Sequence, residues 1–272
     1  MQEILSGSGR YSNVATTHQA RTSVTNSVKI EVLPQPKARV GMINTAVNRV
    51  CEQQFHHYAP PGLAISNTRA RVAGRWSRPI AEMAQEIRLA TSMAAEHGPD
   101  LLVYNCTASS MKEGKAGERA ILALMHEASD VRSISTSSVV AQALDALNIR
   151  SVVMLSPYPN NDDSIRYLEE GGVRTVHDVA LNLPSIEFSD VTPQQWHDLA
   201  IKHDRDSADA IFLSCAATTQ LEAVEAIEST LGKPVINSNQ AILWGCVHML
   251  RDKLGDIGQL PRLGQLMRTD PV

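Results

Sequence analysis

The sequence predicts an α/β protein made of two similar, internally duplicated domains. Each domain is expected to contain a parallel, flavodoxin-like sheet, and a pseudo-twofold axis is expected to relate the two domains. Three observations predict this fold. Short apolar runs alternate with segments of helical periodicity, which indicates parallel strands joined by helical crossovers. Landmarks of the first half recur in the second half in the same order, and a chain of 272 residues is long enough for two such units.

The first half alternates between strands and helices. Its predicted strands lie at 39–43, 62–72, 100–105 and 131–136. Segment 77–98 has apolar residues at helical spacing, with Pro79 near its start and Gly98 just beyond its last helical position. The run DLLVYN (100–105) is apolar almost throughout, as expected for a strand that is covered on both faces.

The second half repeats this pattern. RVGMINTAVN (39–48) parallels SVVMLSPYPN (151–160), at an offset of 112 positions (160 − 48). DLLVYNCTASS (100–110) parallels DAIFLSCAATT (209–219), at an offset of 109 (219 − 110). Two further pairs, Gly62 with Gly172 and RSISTSSV (132–139) with PVINSNQA (234–241), keep the same order. Recurrence at a nearly constant offset indicates an internal duplication.

The duplication also sets the expected domain limits. Residues 1–36 are rich in Ser, Thr, Asn and Gln and are predicted to be a polar tail. The first α/β domain is expected over 37–145, completed by a C-terminal helix within 245–272, and the second over 146–244.

Composition argues against several classes of function. A net charge of −4 argues against the basic surface that binds nucleic acid. The sequence contains no run of about 18 apolar residues, so a membrane-spanning helix is not expected. The N-terminus lacks the apolar core of a secretory signal. Four cysteines without a CxxC pair favour a reducing cytoplasm. Because metal-ligand spacings, GxGxxG and the P-loop pattern are all missing from the sequence, we expect neither a metal nor a nucleotide cofactor.

Two cysteines, Cys106 and Cys215, each follow an apolar strand and precede small and hydroxyl residues. Ligands of open parallel sheets bind at the carboxyl ends of strands. If the two domains face each other about the pseudo-twofold axis, both thiols point into one cleft. A helix N-terminus there would lower the pKa of a thiol. The alternative is that both thiols are buried as small hydrophobes, but their matched positions favour a site. Cys51 and Cys246 lie in predicted helices, where core packing is expected.

Other polar residues are predicted near the same cleft. Asn48 and Asn160 follow the first strand of each half, Tyr158 lies in the second of these loops, and Asn182 follows the next strand. Amides and hydroxyls at such positions can bind a carboxylate, although each residue taken alone also suits a turn. The segment NSNQA (237–241) is predicted to cap the last crossover helix.

Four segments carry a resemblance to known proteins. They read NCTASS (105–110), SCAATTQLEAVEAIESTLGKPVINSNQAILW (214–244), RVGMINTAVNRVCEQQF (39–55) and SPY (156–158). Together they resemble the aspartate/glutamate racemase superfamily, and within it the branch of maleate cis-trans isomerases and arylmalonate decarboxylases. The resemblance covers residues 38 to about 250. It implies two similar domains, a site in the cleft between them, a small carboxylate substrate, no cofactor, and a homodimer or higher homo-oligomer.

The resemblance also implies residue roles. Cys106 matches the isomerase nucleophile that adds to the alkene carbon, and Cys215 matches its acid/base partner. Asn48, Tyr158 and Asn182 match residues that bind substrate carboxylates. The full predicted substrate-binding set is Asn48, Thr107, Ala108, Ser109, Tyr158, Asn182, Ala216 and Ala217.

The leading hypothesis is a cofactor-independent cis-trans isomerase of maleate or a related unsaturated dicarboxylate. Decarboxylases of this branch typically have glycine at the first cysteine position, so two thiols favour an isomerase or a racemase over a decarboxylase. The first loop departs from the family's Pro-Ser-Ser-Asn: it reads TAVN (45–48), which removes two hydroxyls. The alternatives are a two-cysteine racemase of an amino acid or its derivative, an arylmalonate-type decarboxylase, and a non-catalytic binding protein.

Overall fold

Two four-stranded parallel sheets form the framework of the protein, whose computed structural model describes residues 32–257 and 263–270. Both sheets lie in the compact unit that begins at Gln35. The strands of the first sheet are β1 (Ala38–Thr45), β2 (Leu63–Ala70), β3 (Leu101–Asn105) and β4 (Ser133–Ser135). The strands of the second are β5 (Ser151–Ser156), β6 (Arg174–Ala180), β7 (Ala210–Leu213) and β8 (Val235–Asn237). The predicted tail lies largely outside the described residues.

The two sheets have the same topology. Their strand orders are β2-β1-β3-β4 and β6-β5-β7-β8, and every neighbouring pair is parallel. The central strands β3 and β7 are buried along their whole length, as strands covered by helices on both faces must be. The predicted pair of similar α/β domains is therefore confirmed.

Helices connect the strands and cover the sheets. They are α1 (Cys51–Tyr58), α2 (Ile80–Ala95), α3 (Thr107–Met111), α4 (Gly114–Ala128), α5 (Thr136–Ala146), α6 (Asp162–Glu170), α7 (Pro193–His203), α8 (Val224–Leu231), α9 (Ser238–Met249) and α10 (Arg251–Leu254). Cys51 and Cys246 are buried in α1 and α9, as predicted. None of the helices in the described parts of the chain is long and apolar enough to cross a membrane.

The last long helix, α9, joins the two halves. It begins directly after β8, where Asn237 caps it: the Asn237 side chain accepts the N–H groups of Asn239 and Gln240. The helix then packs against α5 and also contacts β3 and α1, all of them elements of the first half. The predicted limit between residues 244 and 245 falls inside α9, so this helix runs unbroken from one half to the other.

Candidate active site

The carboxyl ends of strands from both sheets open onto one cavity of about 460 Å³, a size typical of small-molecule sites. From the predicted set, the residues that line it are Asn48, Cys106, Thr107, Ala108, Tyr158, Cys215, Ala216 and Ala217. The structure therefore brings both thiols to the same cavity, one from each half. In the part of the chain that the structure describes, no three His, Cys, Asp or Glu side chains cluster as metal ligands.

Cys106 is the N-cap residue of the short helix α3, directly after β3. Its sulfur accepts the backbone N–H of Ser109 at 3.5 Å, and the N–H of Ala108 and the hydroxyl of Ser109 also stabilise the thiolate form. The Ser109 hydroxyl pairs in turn with the buried hydroxyl of Tyr104 at 2.9 Å. Three donors thus converge on the Cys106 sulfur.

Cys215 follows β7, but no helix begins beside it. The backbone bends over residues 216–218, and a 3-10 turn (Leu221–Ala223) precedes α8. The predicted helix N-terminus is therefore present at Cys106 and missing at Cys215 within the described chain. The Cys215 sulfur accepts the backbone N–H of Ala217 at 3.3 Å and a hydrogen bond from the hydroxyl of Tyr158.

The expectation of lowered thiol pKa values is wrong. Burial raises the pKa of Cys106 above its usual value, and it raises the pKa of Cys215 to about 12. The hydrogen-bond donors at each sulfur lower the pKa, but by less than burial raises it. Cys106 and Cys215 also influence each other electrostatically: a negative charge on Cys106 raises the pKa of Cys215. Both groups are therefore neutral thiols at neutral pH.

Tyr158 connects the two cysteine loops. Its hydroxyl lies within hydrogen-bonding reach of the Cys215 sulfur and the Thr107 hydroxyl. Its ring packs edge-on against Phe188, with 5.7 Å between the ring centroids. Burial first, and then the nearby Cys215, raise the pKa of Tyr158 well above its usual value. The hydroxyl consequently stays protonated and acts as a donor.

Asn48 lies where predicted, but its side chain already has partners in the protein. It is buried, and its Nδ2 donates to the carbonyl of Ala216 at 2.8 Å. Its Oδ1 accepts the N–H groups of Val50 and Cys51, both at 3.1 Å, and so fixes the start of α1. Asn48 therefore ties the first loop to the Cys215 loop, and one of its two amide hydrogens remains for a ligand.

Two predicted residues do not line the cavity. Ser109 lies behind Cys106 and supports its sulfur. Asn182 is exposed, with a left-handed backbone (φ 50°), and its N–H donates to the carbonyl of Tyr158 at 2.8 Å. Asparagine tolerates this conformation better than most residues. The structure therefore gives Asn182 a turn-forming position rather than the substrate-binding position that was expected.

Two loops that were not predicted from the sequence also contribute to the cavity wall. They follow β2 and β6 and contribute Arg75, Ser77, Ser185 and Phe188. The loops meet at Gly74 (φ 61°), where a Cβ atom would lie 2.8 Å from the Ser185 hydroxyl. Arg75 is the single Lys or Arg among the described lining residues. The signal was available, because these loops also leave the carboxyl ends of strands.

Comparison with known proteins shows the family to which the chain belongs. Residues 53–259 match the family model described as arylmalonate decarboxylase. The chain is 27% identical to arylmalonate decarboxylase of Bordetella bronchiseptica over 148 residues, which cover 53% of this chain and 62% of that protein. It is 22% identical to maleate isomerase of Alcaligenes faecalis over 176 residues, 61% of this chain and 68% of that protein. The alignment with the decarboxylase thus spans less than two thirds of that protein.

A solved structure shares the fold over most of the chain. It is that of a mutant maleate cis-trans isomerase of Nocardia farcinica with a covalently bound succinylcysteine intermediate. Its TM-score is 0.74 at 21% identity, with 85% of this chain and 98% of that chain covered. The resemblance seen in the sequence is confirmed, and the chain belongs to the arylmalonate decarboxylase family.

Proposed function

We propose that the protein is a cofactor-independent cis-trans isomerase of maleate or a related small unsaturated dicarboxylate. The observation that carries this proposal is the pair of thiols, Cys106 and Cys215, that line one cavity from equivalent strand ends. A nucleophile and an acid/base on two sides of a small acid are what addition to, and elimination from, a double bond require. The likeness to maleate isomerases supports this choice of substrate.

Cys106 is the better nucleophile of the two. Three donors stabilise a negative charge on its sulfur, whereas the Cys215 sulfur has two. In the proposed reaction the Cys106 thiol first gives its proton to solvent, and the thiolate then adds to one alkene carbon. The π electrons move into the carboxylate on the other alkene carbon and give an enediolate. A single bond now joins the two central carbons, and rotation about it exchanges the cis and trans arrangements.

Cys215 is the proposed proton donor and acceptor. As a neutral thiol it gives its proton to the enediolate carbon, which leaves a thioether on Cys106 and a thiolate on Cys215. After rotation, the Cys215 thiolate takes a proton back from this carbon and the Cys106 thiolate departs, so the double bond forms again. The succinylcysteine intermediate of the Nocardia farcinica enzyme is consistent with such an adduct.

The remaining polar groups suit the two substrate carboxylates. Backbone N–H groups at Thr107 and Ala216, next to the thiols, can stabilise an enediolate. The free amide hydrogen of Asn48 can bind one carboxylate, and Arg75 supplies a positive charge at the cavity wall.

The test is incubation of the purified protein with maleate, with fumarate measured by proton NMR. We expect fumarate from the wild type and none above background from Cys106→Ser or Cys215→Ser. Cys246→Ala is the matched control, since this thiol is buried in α9 and does not line the cavity. An intact wild type with four free thiols that forms no fumarate would contradict the proposal.

A racemase is the second candidate, because the same two thiols can act as bases on opposite faces of one carbon. A racemase would exchange the α-hydrogen of an amino acid or its derivative for deuterium from the solvent. Family membership makes decarboxylation of an arylmalonate the third reaction to assay. Deuterium exchange or CO₂ release without fumarate would decide for one of these two.

A further inference from the structure

The loop after Cys215 has to present its N–H groups without the help of a helix. At Cys106 the donors are held in place by α3, whose first turn contains Ala108 and Ser109. At Cys215 the chain bends over residues 216–218 instead. We propose that Asn239 and Gln54 are positioning residues, which hold this loop so that the Ala217 N–H points at the Cys215 sulfur.

The peptide between Ala216 and Ala217 links the two interactions. Its carbonyl oxygen accepts Nδ2 of Asn48 at 2.8 Å and Nδ2 of Asn239 at 3.0 Å. Its N–H donates to the Cys215 sulfur at 3.3 Å. The C=O and N–H of a planar trans peptide point in opposite directions, so fixing the oxygen also fixes the direction of the N–H.

Gln54 secures the other end of the loop from α1. Its Nε2 donates to the carbonyl of Thr218 at 3.0 Å and to the carboxylate of Glu222. Its Oε1 accepts Nδ2 of Asn239 at 2.6 Å. Each amide nitrogen faces two or more acceptor groups, so the orientations of both side chains are determined by their surroundings. Carbonyl groups on either side of Ala217 are thus held by amides.

The Asn239 amide has a cost that core packing alone would avoid. Both Asn239 and Gln54 are almost fully buried, at 1% and 3% exposure. Asn239 Oδ1 is buried and has no hydrogen-bond partner among the described residues. A buried polar atom without a partner destabilises the fold. The amide therefore fits a role in aiming the loop better than a role in stability.

The proposed test follows the reactivity of Cys215 itself. In the full chain with Cys106→Ser, the rate of alkylation of Cys215 by iodoacetamide is measured by mass spectrometry from pH 7 to 10. We expect Asn239→Ala to raise the thiol pKa by about one unit, which slows alkylation about tenfold at each pH below that pKa. Gln54→Ala, as the second variant, should shift the rate in the same direction.

Gln240→Ala is the matched control. Gln240 is the next residue on α9 and is equally buried, but its side chain bonds to the Asn237 N–H and the Leu263 carbonyl. It should lower the thermal midpoint without changing the alkylation rate. Equal alkylation rates in folded Asn239→Ala, Gln54→Ala and the parent would overturn the positioning role.

The inference rests on the proposed function only where turnover is concerned. With Cys106 intact, Asn239→Ala should lower kcat for maleate more than it raises KM, because Asn239 does not line the cavity. Alkylation needs no substrate. Slower alkylation in a protein that never forms fumarate would support the positioning role and contradict the isomerase. Fumarate formation by the wild type, together with an alkylation rate that Asn239→Ala leaves unchanged, would support the isomerase and contradict the positioning role.

Discussion

Single residues differ in how far their position in the sequence reveals their partners. Cys106 and Cys215 could be placed at one site because both follow strands, and strand ends are visible as the limits of apolar runs. The partners of Asn48 and Ser109 could not be predicted in this way. Asn48 donates to a carbonyl 168 positions away, and Ser109 donates to a sulfur three positions earlier. The sequence shows that such side chains can form hydrogen bonds, but it does not show with which group.

Ser109 offers a direct test of the thiolate at Cys106. Ser109→Ala removes the hydroxyl that stabilises this thiolate but keeps the backbone N–H, so the pKa of Cys106 should rise further. Below that pKa the thiolate fraction falls, and we expect kcat/KM for maleate to drop about tenfold near pH 7, with recovery at higher pH. The pH profile of kcat/KM is the measurement.

Ser110→Ala is the control for this prediction. Ser110 is buried on the same helix, but its hydroxyl bonds to the Ser137 N–H and the Thr107 carbonyl instead of a sulfur. It should lower stability and leave the pH profile in place. Identical profiles for Ser109→Ala and the wild type would show that the hydroxyl does not support the thiolate.

Tyr158 can be tested by removing its hydroxyl alone. Tyr158→Phe keeps the ring contact with Phe188 but leaves the Cys215 sulfur with one donor. We expect kcat to fall by about a hundred- to a thousandfold, the range for loss of one hydrogen-bond donor to a developing negative charge. The thermal midpoint should hardly change, and differential scanning calorimetry checks this. A variant with full kcat would exclude the hydroxyl from the reaction.

Elements of secondary structure were predictable where local signals are strong. The long periodic run at 77–98 became α2, and the apolar run at 100–105 became β3. The missing helix at Cys215 was not predictable. The carbonyl of Ala216 is occupied by amides, and the hydroxyl of Thr219 bonds to the Val191 carbonyl, so this segment finds its hydrogen bonds outside a helix. These partners come from distant parts of the chain.

The contact between β1 and α2 leads to a prediction for stability. Gly41 lies on β1, where an added Cβ would be 2.6 Å from the Ala94 carbonyl and 2.8 Å from Leu102 Cδ2. Gly41→Ala should therefore lower the free energy of unfolding by about 1–3 kcal/mol, as overpacking in a core does. Urea unfolding measures it. Gly171→Ala is the control, because an added Cβ there would come no closer than 3.2 Å to a neighbour, the Leu168 carbonyl, and a smaller loss is expected. Equal losses in both variants would contradict the close approach at Gly41.

For the whole molecule, the duplication was the most predictable feature, because each half repeats an Asp, an apolar strand and a Cys in fixed order. The structure gives the repeated aspartate a physical role. Asp100 accepts the N–H of Arg39 at 2.8 Å, and Asp209 accepts the N–H of Arg150 at 2.9 Å. In each half, a carboxylate just before the central strand thus fixes the start of its neighbour. The sequence of either half alone does not show these contacts of the Asp100 and Asp209 side chains.

These two aspartates lead to a prediction for acid stability. The hydrogen bond from Lys253 is the main cause that lowers the pKa of Asp100, and the Arg150 N–H is the main cause that lowers the pKa of Asp209. A carboxylate with a lower pKa in the folded than in the unfolded chain stabilises the fold above the unfolded value of about 4. That stabilisation is lost as the pH falls through the folded pKa.

The wild type should therefore lose stability between pH 5 and pH 2.5 more steeply than Asp100→Asn or Asp209→Asn. The two sites lie in different sheets and share no partner, so the effects should add in the double variant. The midpoint of urea unfolding, measured across this pH range, reports the slope. If the double variant kept the wild-type slope, neither carboxylate would contribute. If one single variant accounted for the whole change, the two halves would not use the repeated aspartate in the same way.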